Sequence, residues 1–242
     1  MRHGVLGASD KTERFASCYQ PETGGRGLKL QDDARESIYY AKPPRLELGG
    51  TGLVSTAQDY LRVCRMMLNG GTLDGVQILS PKTVALFSLN YLPDGRELAD
   101  MTLPGLFSGS TYAGVGFSLG GAVTVDIAKT RLPGSLGQYF WGGATGSAFW
   151  IDPKEELAVV FMTQVIFCKA RETLRRDLRT LVYSAMTESF AQSQSLTRHL
   201  EIGNCGLNVR LCLFACDEAQ GFGDYMVCAL HGSVTSDITS MP

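Results

Sequence analysis

Apolar positions fall into two rhythms along this chain, one helical and one alternating, and the places where the rhythm changes divide it into three parts. Residues 1 to about 48 carry little periodicity of either kind. Gly24, Gly25 and Gly27 interrupt a polar stretch there, and Pro43-Pro44 forces extended backbone. This part reads as a loop-rich lead-in to the domain that follows, with one short strand around Arg14 to Tyr19.

From Gly49 to about Thr187 the pattern is strong. Gly49-Gly50-Thr51-Gly52 is a turn that delivers the chain to Ser55, and Ser55 with Gln58 fits a capping box at a helix start. Ala57, Leu61, Cys64 and Leu68 then share one helical face, and Asn69-Gly70-Gly71 stops the helix. Ser80-Pro81 opens a second helix, serine capping and proline in the first turn, with Val84, Phe87 and Tyr91 on its apolar side.

After Ala113 the period shortens. Val115, Phe117 and Leu119, then Ala122 to Ile127, predict strands separated by Gly120-Gly121. Gln138 to Trp141, Ser147 to Ile151 and Leu157 to Thr163 predict three more, the last two joined into an antiparallel hairpin by Asp152-Pro153-Lys154-Glu155. Leu157 to Met162 is continuously apolar, which places it in the middle of a sheet buried on both faces. A closing helix carries the stripe Leu174, Leu178, Leu181, Val182 and Ala185. Arg171, Arg175, Arg176 and Arg179 fall off that stripe and read as a solvated face, with Glu172 and Arg176 paired four residues apart. Helices, an antiparallel sheet and a helix packed back across it make an α+β arrangement, an antiparallel sheet flanked by helices.

Residues 188 to 242 differ in character. They hold two of the 22 basic residues and six of the 24 acidic ones, and their only clear apolar patch is Leu211 to Ala215. They read as an appended tail of doubtful order.

Composition refines this picture. With 44% hydrophobic and 19% charged residues, the 242-residue chain has the make-up of a soluble globular domain. A net charge of −2 gives no reason to expect nucleic acid or an anionic membrane as partner. No apolar stretch reaches the ~20 residues of a membrane span, and Met1 to Thr12 does not resemble a signal peptide, so the default compartment is cytoplasmic. Seven cysteines, an odd number, argue against a disulfide framework. Cys205, Cys212, Cys216 and Cys228 with His231 admit a zinc reading. Only Cys212 and Cys216 have ligand spacing, however, so free thiols are favoured over a metal.

The run Gly50-Thr51-Gly52-Leu53-Val54-Ser55-Thr56-Ala57-Gln58-Asp59-Tyr60 resembles a signature segment of the serine β-lactamase-related family, which includes class C β-lactamases, esterases and penicillin-binding-protein relatives. Asn69-Gly70-Gly71, Ile78-Leu79-Ser80-Pro81 and Gly114-Val115-Gly116-Phe117 follow in the family's order. So do Tyr139 to Gly146, then Phe149-Trp150-Ile151-Asp152-Pro153, and a last helix ending in Leu181-Val182-Tyr183. The resemblance covers roughly residues 10 to 187. It implies a β-lactamase/transpeptidase-like fold and cleavage of a small-molecule ester or amide through an acyl-serine, without metal or organic cofactor. Trp141-Gly142-Gly143 matches the family's third motif. The match implies that the Ala144 N–H is half of an oxyanion hole, that Trp141 is a flat wall for substrate, and that Gly142 and Gly143 leave the backbone bare.

Two motifs that carry the family's chemistry are absent. None of Lys11, Lys29, Lys42, Lys82, Lys129, Lys154 and Lys169 has a serine three positions before it, and no tyrosine is followed two places later by asparagine. In the family both motifs precede the region matched here. The resemblance therefore implies the C-terminal part of such a domain, incomplete at the N-terminus, whether as a fragment, an isoform or a degenerate copy. Such a chain is expected to be inactive and marginally stable, with uncovered core surface open to self-association. A non-catalytic binding module derived from the fold is the alternative. Gly116-Phe117-Ser118-Leu119-Gly120 fits a Gly-x-Ser-x-Gly elbow, but β-branched, strand-like residues follow where that elbow needs a helix. His3, His199 and His231 complete no Ser-Asp-His order.

Overall fold

The computed structural model describes residues 14–23, 27–37, 53–101, 111–187 and 189, together with the backbone of 210–215 and 226–231. The expectations for Pro43-Pro44 and for Gly49 to Gly52 lie outside these residues. In the lead-in the chain forms an antiparallel hairpin, β1 (Cys18–Pro21) and β2 (Leu28–Asp32), where one strand beginning near Arg14 was expected. Leu28 and Leu30 alternate with Lys29 and Gln31 in β2, but five residues are too few for the period to stand out.

Helix α1 (Ala57–Leu68) starts one residue later than the capping box predicts. Thr56, not Ser55, is the cap, its Oγ1 accepting from the Asp59 N–H at 3.1 Å. Ala57, Leu61 and Cys64 are buried as their spacing requires, joined by Met66. The Gly71 N–H donates back to the Met66 carbonyl at 2.8 Å and ends the helix. A small hairpin, β3 (Thr72–Leu73) and β4 (Val76–Gln77), leads to α2 (Pro81–Leu86). Ser80 caps α2 from its Oγ, and proline occupies the first turn. No residue of α2 is buried, and Tyr91 lies beyond it, exposed.

The main sheet begins with β5 (Val115–Phe117) and β6 (Ala122–Thr124). Leu119 falls in the turn between them, and the expected strand through Ile127 is cut short. Asp126 there caps a single turn, α3 (Ile127–Thr130), accepting from the Lys129 N–H at 3.1 Å. β7 (Tyr139–Gly142), β8 (Gly146–Asp152) and β9 (Leu157–Gln164) follow, then α4 (Arg171–Ser184). The tail, expected to lack regular structure outside Leu211 to Ala215, supplies β10 (Arg210–Ala215) and β11 (Met226–His231). All pairs are antiparallel and the strand order is β10-β11-β9-β8-β7-β6-β5. β9 is interior, as its apolar run requires.

Period-two alternation sorts the sheet into two buried faces. Ile151, Ala158 and Val160 meet Ala57, Leu61 and Cys64 of α1, with Tyr139 and Phe149 alongside. Trp150, Leu157, Val159 and Phe161 face the other way, against Leu178, Val182 and Tyr183 of α4. The arrangement is α+β, an antiparallel sheet between helices. Several large apolar side chains stay exposed near α2 and the β5–β6 turn, among them Leu86, Leu89, Leu119 and Leu136.

The face assignment of α4 needs correcting. Leu174 is 39% and Leu181 67% exposed, whereas Arg179 is buried at 7% and the Arg175 side chain is exposed by only 17%. Glu172 pairs with Arg175 at 3.2 Å and with Arg171 at 3.1 Å, not with Arg176. The arginines turn inward because the loop ends beneath them present backbone carbonyls that no strand satisfies, and a guanidinium can reach several at once. Arg179 donates from Nε to the Pro133 carbonyl at 2.9 Å and from Nη2 to Gln138 Oε1. Gln138 donates on to the Tyr183 hydroxyl at 3.0 Å, and that hydroxyl donates to Asp152 at 2.6 Å. Asp152 is fully buried and also accepts from the Lys154 N–H at 3.1 Å, which closes the β8–β9 turn.

Candidate functional site

β6 pairs with β7 only at Tyr139 and Phe140. Beyond that point Trp141 and Gly142 pair with Phe149 and Ala148 of β8, so β7 becomes a sheet edge where the third-motif residues begin. Alternation puts Trp141 on the α1 face with Tyr139, and its ring meets Phe117 edge-on at a centroid distance of 5.2 Å.

The strand then enters a four-residue turn. The Gly146 N–H donates to the Gly143 carbonyl at 3.1 Å and the Gly143 N–H to the Ser147 carbonyl at 2.8 Å, with Ala144 at the second position. Ala144 is exposed, and among the described residues its N–H has no acceptor. A bulge in β8 at the foot of the turn is held by Ser147, whose Oγ donates to the Thr163 carbonyl at 2.9 Å and accepts from the Thr163 N–H at 3.2 Å.

Two of the three glycines of this segment are required by their surroundings, each by a different constraint. Gly146 has φ +97°, a left-handed backbone, and a Cβ there would stand 2.7 Å from Thr163 Cγ2. Gly142 has an ordinary backbone, but a Cβ would stand 2.5 Å from the Arg175 guanidinium. On the α4 side the missing Cβ at Gly142 makes room for an arginine. Gly143 is required by neither constraint, since a Cβ would find its nearest atoms at 3.9 and 4.0 Å.

Behind the turn sit Arg171 and Arg175, placed by α4. Arg175 donates from Nη2 to the Gly143 carbonyl at 2.8 Å and the Ser147 carbonyl at 2.7 Å, and from Nε to the Gly146 carbonyl at 3.3 Å. Arg171 donates from Nη1 to the Ala144 carbonyl at 3.2 Å. Burial lowers the Arg175 pKa, and the Glu172 carboxylate beside it offsets part of that; an arginine so lowered stays charged at neutral pH. Tyr112 lies close to the same group. Burial raises its phenol, and the charge of Glu172 adds to the shift. The sequence held a signal for the clamp, because Arg171, Arg175 and Arg179 recur every four residues and so share a helix face.

The beta-lactamase family model matches residues 4–180. The chain belongs to the beta-lactamase family. Two Mycobacterium tuberculosis proteins, Protein Rv1367c of strain H37Rv and Uncharacterized protein MT1414 of strain CDC 1551, are each 35% identical to it over 168 residues. The alignment takes in 66% of this chain and 39% of each relative, so the chain spans about two fifths of their length. Simvastatin synthase (LovD) from Aspergillus terreus shares the fold. Its LovD6 mutant superposes with a TM-score of 0.59 at 22% identity, over 77% of this chain and 44% of that one. The unliganded selenomethionyl form gives 0.59 at 21%, over 74% and 45%.

Ser118, another candidate group in this beta-lactamase-family chain, is held in a structural role. Ser118 is 5% exposed in the β5–β6 turn. Its N–H donates to the Gly121 carbonyl, its Oγ donates to the Leu86 carbonyl at 3.2 Å, and strand β6 follows. A nucleophile elbow needs the serine exposed before a helix, and neither condition is met. Among the described residues no group of three or more His, Cys, Asp or Glu gathers, and no helix is long and apolar enough to cross a membrane. Cys205, Cys216, His3 and His199 lie outside the described residues. Cys212, Cys228 and His231 are described by backbone alone, on β10 and β11.

Proposed function

We propose that the β7–β8 hairpin end is the substrate-facing wall of an acyl-transfer site, with the Ala144 N–H as a donor to the oxygen of an attacked ester or amide carbonyl. The observation that carries this reading is the N–H of an exposed residue, without an acceptor among the described residues, on a turn whose carbonyls are all directed to internal donors. Backbone donors held in advance lower an acyl-transfer barrier because they need no reorganisation as charge develops on the oxygen. Trp141 forms the flat side of the cleft. Gly143 leaves the strand edge bare toward substrate, a role favoured by the lack of any internal reason for glycine there. The acyl-serine chemistry of the finer reading needs a serine nucleophile with its lysine and tyrosine, and these 242 residues hold no Ser-x-x-Lys and no Tyr-x-Asn.

The 242-residue chain by itself is therefore a binding wall without turnover. Purified chain should release chromophore from p-nitrophenyl butyrate and from a chromogenic cephalosporin no faster than the buffer blank. Steady turnover well above blank, stoichiometrically independent of contaminating esterase, would contradict this reading.

A further inference from the structure

We propose that Arg175 sets the strength and direction of the Ala144 N–H, acting through the peptide that joins Gly143 to Ala144. The inference rests on the reading of that N–H as the donor. A trans peptide carries its C=O and its N–H on opposite sides of one rigid plane. At this peptide the two ends face different surroundings. The Gly143 carbonyl points inward and accepts from Arg175 Nη2 at 2.8 Å and from the Gly146 N–H at 3.1 Å. The Ala144 N–H at the other end faces out.

Two physical consequences follow. Fixing the carbonyl fixes the plane, and so fixes the direction of the N–H. A cation on the carbonyl oxygen also draws electrons along the amide and makes the N–H a stronger donor, as in any chain of hydrogen bonds that polarise one another. Arg175 does this from a site exposed by only 17%, where its charge is screened less than at the surface. Its three carbonyl acceptors lie at both ends of the turn, Gly143 on one side and Gly146 and Ser147 on the other, so one guanidinium locks the whole loop. A lysine could supply the charge but not that fork. Gly142 belongs to the same device, because any side chain there would push the guanidinium off the carbonyls. Arg171 holds the next peptide by its Ala144 carbonyl, and Glu172 holds both arginines in place. Arg175 is thus a positioning residue, and the anion it serves never touches it.

The test is an amide-resolved titration of the ¹⁵N-labelled 242-residue chain with sodium butyrate, whose carboxylate stands in for an oxyanion. In the unaltered chain the Ala144 amide should move downfield as butyrate is added. Arg175→Met should weaken the apparent affinity at least fivefold, with resonances of Leu157 to Phe161 in β9 unmoved, and Arg175→Lys should restore only part of it. Gly142→Ala keeps the charge and displaces the guanidinium, so it should reproduce the Met result, and it replaces that variant if Arg175→Met does not fold. An equal Ala144 response in the unaltered chain, Arg175→Met and Gly142→Ala would overturn the role of Arg175 and leave the donor reading standing. No response from any amide of the turn in the unaltered chain would overturn the donor reading itself.

Discussion

Arg175 and Arg179 leave the same face of α4 one turn apart, and burial lowers the pKa of both. Arg179 ends in a closed network. Gln138, Tyr183 and Asp152 pass hydrogen bonds between themselves, and all are buried or nearly so. Arg175 ends against the carbonyl side of an exposed turn, and the far side of that turn is open. The same residue type on the same helix closes a core in one place and holds up a rim in the other. A buried arginine is therefore not a functional mark by itself. What distinguishes the two is whether the groups it satisfies have a second end that reaches solvent.

That contrast predicts unequal costs. Arg179→Met should lower unfolding stability by about 3 kcal/mol, because it strips charge-assisted bonds from a buried network, leaves the Pro133 carbonyl without its donor and leaves Gln138 Oε1 with only the 3.5 Å contact from Thr124. Urea unfolding reads this directly. Arg175→Met should cost about 1–2 kcal/mol, since the Gly143 and Ser147 carbonyls keep backbone donors and the Gly143 end of the turn is exposed, where water can replace the guanidinium. A larger loss at Arg175 than at Arg179 would break the contrast.

The opposite face of the sheet sharpens it. There the core is built from apolar side chains around Cys64, and burial alone pushes the thiol up to about 12 from an ordinary 9.0. The unfolded chain then loses this proton near pH 9 while the folded chain keeps it. Stability is complete below pH 9 and falls as pH rises from 9 toward 12, by about 1 kcal/mol between pH 9 and 10. Cys64→Ala should flatten that slope. An unchanged slope would assign it to other groups, such as the buried Tyr183 hydroxyl, which burial and Asp152 also push up.

The sequence made most of the framework legible, for reasons visible in particular residues. Leu157 to Met162 could only be an interior strand, and Ser80-Pro81 and Asn69-Gly70-Gly71 are punctuation with a local mechanism. Trp141 to Ala144 stood out because the glycines there have no place in an ordinary strand. What stayed hidden was set by partners distant in sequence. Nothing near Gly142 says that its missing Cβ makes room for Arg175, thirty-three residues on. The α4 arginines read as solvated because periodicity counts an arginine as polar. It cannot see that carbonyls of the loop ends beneath the helix have room for a further donor. β11 was missed because its pairing with β9 joins segments far apart in the chain.

The most direct measurement removes the donor and nothing else. Ala144→Pro deletes the N–H at the second position of a turn, where proline is favoured and Gly143 before it is permissive. The response to butyrate is then read from the Thr145 amide and the Trp141 indole. Loss of that response with an unchanged melting temperature is the predicted result. A response as strong as that of the unaltered chain would place the anion elsewhere and contradict the account.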